Sequence, residues 1–293
     1  MLTCLFRVAG HTFEVGLPDG TDVPSLLPSY APFVQHEASG ALLFALAVDE
    51  SLDLSVEGYD EIGQFDCGGA NHGVWHKRGE YLFHISDVGG SLTGVLRVSD
   101  SFGKGRIRLF GTTAQRAFAL NNALMILFAF AAAPRGTVLM HASVVMNAGR
   151  GFLFLGRSGT GKSTHARLWL SHVEGSDLLN DDNPAVRIMD GTPVVFGTPW
   201  SGKTPCYRDL SVPVGAITRL EQWPANAIRR ETPVAAFASI LSSCSTMVWD
   251  KPTYDAICTT VGDLVKLIPA FHLRCLPDEA AAHLCHDTLT CRA

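Results

Sequence analysis

Charge is scarce in this chain of 293 residues: 17% of it is Asp, Glu, Lys or Arg, against about a quarter in an average soluble domain. No basic run interrupts it, and the formal net charge is −5. Such a chain has no electrostatic footprint for nucleic acid or an anionic membrane, and neither is expected as a partner. C-x-x-C pairs are missing among its eight cysteines, Cys4, Cys67, Cys206, Cys244, Cys258, Cys275, Cys285 and Cys291. Scattered through a chain long enough to bury its own core, they read as reduced, buried thiols. "HLCH", His283 to His286, does not gather four metal ligands when laid on a helix.

The opening "MLTCLFRVAGHTFEVGL" lacks a basic stretch followed by a long apolar run and a small-residue cleavage site, so the cytoplasm is the expected compartment. The longest apolar segment, "AFALNNALMILFAFAAAP" from Ala117 to Pro134, is short for a bilayer and contains Asn121 and Asn122, which reads as a buried helix. Internal repeats and low-complexity tracts are absent as well. What is present is a globular composition, 47% hydrophobic, sufficient for one large domain or two modest ones.

Up to about Thr113 short alternating segments such as "LFRVAGHTFEV", "EYLFHIS" and "TGVLRVSD" are separated by Gly, Asp, Ser and Pro clusters. This predicts a β-rich N-terminal region over 1–112. A helix from Thr113 to Ala133 would bridge it to a second region, 113–293. There the candidate strands are "TVLMHASVVM", "GFLFLG", "LLNDDNPAVRI", "TPVVFGTPW", "VPVGAITRLEQ" and "AFHLRCL", with helices near Pro233 to Ser243, Tyr254 to Ile268 and Asp278 to Leu289. Strands cluster instead of alternating regularly with helices, which favours an α/β fold built on a mixed sheet with packed helices.

Between the apolar run Phe152 to Leu155 and an expected helix from Lys162 to Leu170 stands Gly156-Arg157-Ser158-Gly159-Thr160-Gly161-Lys162-Ser163-Thr164. Its first eight residues fit G-x-x-x-x-G-K-[ST], a nucleotide-phosphate loop, in the strand-to-helix context that pattern needs. Glycines let backbone N–H groups close on phosphate oxygens, and the helix dipole adds attraction for anions. Lys162 would meet the β- and γ-phosphates, and the Ser163 hydroxyl would ligate Mg²⁺. Gly156, Ser158, Gly159, Thr160, Gly161, Lys162, Ser163 and Thr164 are thus the candidate ATP-binding residues.

Downstream, Asp181 and Asp182 end the apolar run of "LLNDDNPAV". Asp-Asp-Asn-Pro is good turn chemistry, but beside a phosphate loop one carboxylate can hold Mg²⁺ while its neighbour takes a proton from an attacking hydroxyl. Asp181, nearer the hydrophobic run and partly shielded from water, is the expected base, and Asp182 with Ser163 the expected metal ligands. His141 sits amid apolar residues in "VLMHASVVM", where a histidine is more often a satisfied core residue than a ligand. "FGTPWSGKTPCYRDL" carries Lys203 and Arg208 on a Gly/Pro-rich loop, and a lysine in Ser-Gly-Lys could meet a γ-phosphate or an anionic acceptor as readily as lie exposed.

"LMHASVV", "NAGRG", "GFLFLGRSGTGKST" and "LLNDD" together resemble the kinase core shared by HPr kinase/phosphorylase and ATP-dependent phosphoenolpyruvate carboxykinase. The likeness runs from about Val138 to Ile188, and "IPAFHLRCLPDEAAAHL" looks like the ending of HPr-kinase-related bacterial proteins. The resemblance implies that His141 lies near metal and phosphate, and that Asp181 and Asp182 are the family's aspartate pair. Matches to the carboxykinase's oxaloacetate-binding arginines and to the basic segment used for phosphorolysis are not evident. The expectation is therefore an ATP- and Mg²⁺-dependent kinase acting on a hydroxyl, serine first, of a small protein, peptide or small molecule. A non-catalytic ATP-binding sensor or a carboxykinase-like enzyme stands as the alternative, and assembly into a homo-oligomer is left open.

Overall fold

The computed structural model describes residues 1–37, 40–67, 70–202 and 204–290, which form two compact units, Met1–Ala132 and Ala133–Ala293. In the first unit, alternating segments pair as expected. β1 (Leu2–Val8) and β2 (His11–Leu17) form an antiparallel hairpin, and β3 (Val34–Gln35) adds to its outer edge. The short helix α1 (Val23–Leu26) precedes β4 (Ala45–Val48), which pairs parallel to β2. β5 (Asp60–Cys67), β6 (Ala70–Lys77), β7 (Glu80–Ser86), β8 (Leu92–Ser99) and β9 (Lys104–Leu109) meander antiparallel and complete a nine-stranded sheet, β3-β1-β2-β4-β9-β8-β7-β6-β5. The β5–β6 hairpin was not legible in "DEIGQFDC" and "ANHGVWHK", whose glycines and polar residues dilute the β signal.

α2 (Thr113–Ala132) packs on β7, β8 and β9 and belongs to this first unit, whereas the sequence placed it at the head of the second. The physical reason is its composition. A helix apolar on nearly every side needs cover all round, and 72% of its most apolar window is buried. By length and hydropathy the helix could cross a membrane, yet its side chains are spent on the interior of the fold.

The second unit contains β10 (Thr137–Leu139), β11 (Ala142–Asn147), β12 (Arg150–Leu155), α3 (Lys162–His172), β13 (Asp177–Asp182), β14 (Ala185–Met189) and β15 (Thr192–Phe196). It continues with β16 (Ser211–Gln222), β17 (Ala227–Arg230), α4 (Pro233–Leu241), α5 (Lys251–Leu267), β18 (Ala270–Cys275) and α6 (Glu279–Thr290). Its sheet runs β10-β14-β15-β16-β12-β11-β13, with β18 branching from β16 and β17 pairing β18. β11 and β12 are antiparallel, while β16 pairs parallel with both β12 and β18, so the sheet is mixed and the α/β expectation holds.

Local chemistry sets these elements. The β11–β12 hairpin turns at Ala148 (φ 47°) and Gly149 (φ 74°), the two left-handed residues that a twisted two-residue turn requires. The Asp250 side chain caps α5 by accepting from the Thr253 N–H at 2.9 Å. One sheet face packs Val145, Phe152 and Phe154 against Ala166 and Trp169 of α3 and Cys285 of α6. The other packs Val144, Leu153 and Leu155 against Ile240 of α4 and Ile257, Val261 and Leu264 of α5. Cover on both faces explains why "GFLFL" is continuously apolar instead of alternating.

Two segments that read as single strands are each split. In "TVLMHASVVM" the Met140 N–H donates to Pro184 O (3.1 Å) and the His141 N–H to Ser243 O (2.7 Å), so the chain changes partners there. In "LLNDDNPAVRI" the break falls at Asn183-Pro184, where proline has no N–H to offer a ladder. Both breaks lie where site residues collect. Burial also pushes the Cys244 thiol up to about 12 and the Cys275 thiol up to about 11.

Candidate functional site

β12 ends at Leu155, and the chain crosses from Gly156 to Gly161 before α3 begins at Lys162. Gly161 occupies the N-cap with φ 105°, a left-handed conformation that side-chain-bearing residues rarely adopt, and it supplies no capping side chain. The first turn of α3, Lys162, Ser163 and Thr164, therefore presents uncapped amides and the positive end of the helix dipole toward the loop. Lys162 folds back over that loop, donating from Nζ to Gly156 O at 2.9 Å and Arg157 O at 3.5 Å, and is 8% exposed. Burial holds its pKa below the ordinary lysine value, opposed by the charges of Asp182 and then Asp181. Among the described residues it forms no ion pair; its hydrogen bonds go to carbonyl oxygens, and the aspartate charges act on it from beyond contact distance.

Strand register places the aspartates beside the loop. Ala142 of β11 lies opposite Leu155 on β12 and Asp182 on β13, and Ser143 lies opposite Phe154 and Asp181. The loop leaves β12 at the rung where β13 ends. Asp181, 4% exposed, accepts a 2.7 Å hydrogen bond at Oδ1 from Ser143 Oγ, and its Oδ2 is buried without a partner among the described residues. Asp182 is more open. Its Oδ1 lies 3.1 Å from His141 Nε2, with side chains 34% and 45% exposed, and its Oδ2 accepts from Asn183 Nδ2 at 3.0 Å.

The Gly/Pro-rich loop packs directly on this pair. Asn180 Oδ1 accepts from the Asp182 N–H (3.0 Å), while Asn180 Nδ2 donates to Thr198 Oγ1 (3.1 Å) and Trp200 O (3.4 Å). Thr198 Oγ1 in turn donates to Asn183 O at 2.7 Å. At Gly202 a Cβ atom would stand 2.9 Å from Asp181 O and 3.2 Å from Asp182 Cβ, so the loop approaches this closely only without a side chain there. Lys203, the next residue, lies outside the described residues. Arg208 is committed elsewhere, bonding Asp177 Oδ2 at 2.6 Å and Leu178 O at 2.5 Å at the start of β13.

No family model matches the chain, and no curated protein does. Among solved structures it is similar to the HPr(Ser) kinase/phosphatase from Coxiella burnetii, at 15% identity over 52% of this chain and 92% of that one, with a TM-score of 0.30. That is a distant likeness of fold and no more.

The structure brings Lys162, Asp181, Asp182 and His141 to one end of the sheet, together with two participants that sequence reasoning missed. Ser143 carried a signal, standing two residues after His141 in a segment that reads as one strand, where side chains would share a face. Gln222 carried none. It ends β16, on the other side of β12, and its Nε2 donates to Gly159 O (3.2 Å) and Thr160 O (3.3 Å) of the loop. Under α3, His165 packs edge-on to Phe154 and accepts from Trp169 Nε1 at 3.2 Å; burial depresses its pKa to about 4, so it stays neutral and structural.

Proposed function

We propose that the second unit is an ATP- and Mg²⁺-dependent phosphotransferase that delivers the γ-phosphoryl group to a hydroxyl, serine being the leading acceptor, on a small protein, peptide or small molecule. The observation that supports it best is the convergence of a buried lysine, which among the described residues makes no ion pair within contact distance but feels both aspartate charges, and two carboxylates of unequal exposure at the end of one glycine-rich loop. A phosphate would take the place of the carbonyls that now hold the Lys162 ammonium, and uncapped α3 amides would bond its oxygens.

The orphaned Oδ2 of Asp181 and the Ser163 hydroxyl are hard oxygen donors of the kind Mg²⁺ takes, so the site suits that ion. Held by Asp181 and Ser163, it would supply positive charge to offset the charge developing on the transferred group. Shielding made Asp181 the sequence candidate for the base, but a carboxylate 4% exposed and bonded to Ser143 has little open side toward an acceptor. The roles are therefore better reversed. Asp182, on the open side and oriented by His141, would accept the hydroxyl proton, and Asp181 would serve the metal. Lys203, following the closely packed Gly202, is proposed to meet the γ-phosphate or the acceptor.

Incubation with γ-labelled ATP and a cytoplasmic lysate, followed by identification of the labelled species, tests transfer and names the acceptor. Tight Mg-ATP binding with no labelled product would replace this reading with a nucleotide-binding sensor.

A further inference from the structure

Beside the phosphate loop, opposite the aspartates, lies a cluster that phosphate transfer does not use. β16 and β18 run parallel, and Trp223 follows Gln222 just beyond the end of β16, its N–H bonded to Cys275 O at 3.1 Å. Trp223 is 46% exposed, unusual for the largest side chain, and the Arg274 guanidinium lies over its ring at 4.6 Å from the centroid. Arg274 Nε is held by Glu221 Oε2 at 3.2 Å, and the same oxygen lies 2.7 Å from His272 Nε2. His272 is 2% exposed; a carboxylate can only accept, so its Nε2 carries the proton. Its Nδ1 is then left to accept from Arg219 (3.2 Å) and Arg229 (3.4 Å). Burial and the Arg219 charge hold His272 below the usual histidine value, so a neutral ring joins three arginines, of which Arg274 pairs with Glu221 and Arg219 with Glu231 Oε1 at 3.3 Å. The loop after β16 is pinned too, since Asn226 donates to Asp278 Oδ1 (2.9 Å) and accepts from the Leu276 N–H (2.8 Å).

We infer that Trp223, backed by Arg274, is the platform on which the purine base of the bound nucleoside triphosphate stacks. The inference rests on the nucleotide reading of the loop. A triphosphate in that loop turns its reacting end toward Asp181 and Asp182 on the β11–β13 flank, so its nucleoside extends to the opposite flank, over the ends of β16 and β18. The aromatic there directly follows Gln222, whose side chain bonds the loop. Arg274 covers one face of the indole and steadies it as a cation over a ring, leaving exposed ring surface for a base. Stacking reads a π-face and not a hydrogen-bond pattern, so ATP and GTP should bind with similar affinity.

Inorganic tripolyphosphate, which has phosphates and no base, separates the two parts. Calorimetric titrations with Mg²⁺ would compare ATP and tripolyphosphate on the full chain and on Trp223→Ala and Trp223→Phe. The expected result is a loss of ATP affinity of roughly tenfold or more in Trp223→Ala, restored in Trp223→Phe, with tripolyphosphate affinity unchanged in all three. Trp223 is exposed, so the variants are expected to fold, and unfolding midpoints check it. Unchanged ATP affinity in Trp223→Ala, or wild-type protein binding tripolyphosphate as tightly as ATP, overturns the platform alone. Wild-type protein that binds neither ligand overturns the platform together with the nucleotide reading beneath it.

Discussion

The two flanks of the glycine-rich loop are built on different principles. On the β11–β13 side the polar groups are acidic and locked: Asp181 is buried against Ser143, Asp182 is tied to His141 and Asn183, and Gly202 closes on both from outside. On the β16–β18 side they are basic and largely open, with Arg229, Arg274 and Trp223 at the surface around one buried neutral histidine. Chemistry needs charges held to within fractions of an ångström, whereas binding a flat ring needs accessible surface. Under the proposed function the difference in burial would mark a division of labour, with Lys162 between its halves.

Asp182→Asn strikes the locked flank hardest. It keeps size and hydrogen bonding nearly constant while removing the proposed base, so phosphoryl transfer should fall by a factor on the order of 10²–10⁴ with Mg-ATP affinity nearly intact. Rates and calorimetry together decide it: if ATP affinity collapses and residual transfer stays high, the division of labour is wrong. Acid should have the next largest effect, and it reaches both sides of the loop. His165 titrates at about 4 in the fold, against 6.5 for the free side chain. Between those values the unfolded chain binds a proton that the folded chain refuses, so stability falls as pH drops through that window, by on the order of 3 kcal/mol. Chemical denaturation from pH 7 to 4 measures the slope, which His165→Phe should flatten. What slope remains in that variant belongs in part to His272, depressed in the same direction, whose protonation would set it against Arg219 and Arg229.

Lys162→Ala removes the charge common to both flanks. ATP and tripolyphosphate should weaken together, each by roughly 10- to 100-fold, the worth of a charge-assisted hydrogen bond. A loss confined to ATP would move the lysine off the phosphates. Gln222→Ala should matter least. It cuts two exposed bonds that couple the loop to the open flank, and a few-fold loss of ATP affinity with unchanged unfolding is expected; a loss of tripolyphosphate affinity as large as that of ATP would show that Gln222 supports the loop and not the link.

Much of the site was legible before the fold. Lys162 and Ser163 stand in a pattern whose spacing reflects backbone geometry, and the aspartates end an apolar run, which marks a strand terminus. His141 could not be told from a core histidine by its neighbours. Its place is set by a break between β10 and β11, where its N–H leaves the ladder for Ser243 O, more than a hundred residues downstream in sequence order. Arg208, noted with Lys203 on the Gly/Pro-rich loop, is committed to Asp177, because its loop returns to the start of β13.

What the sequence by itself determined was local: the glycine-rich loop, the apolar helix at Thr113, the hairpin at Ala148-Gly149 and the order of strands and helices after Pro233. Each depends on backbone conformations or periodicities spanning a few residues. Which unit claimed α2, which aspartate was buried, and the gathering of Gln222, His272 and Arg274 beside the loop were decided only by the tertiary structure. Those outcomes depend on strand register and on which faces of the sheet are covered. Neither leaves a trace in the spacing of residues along the chain.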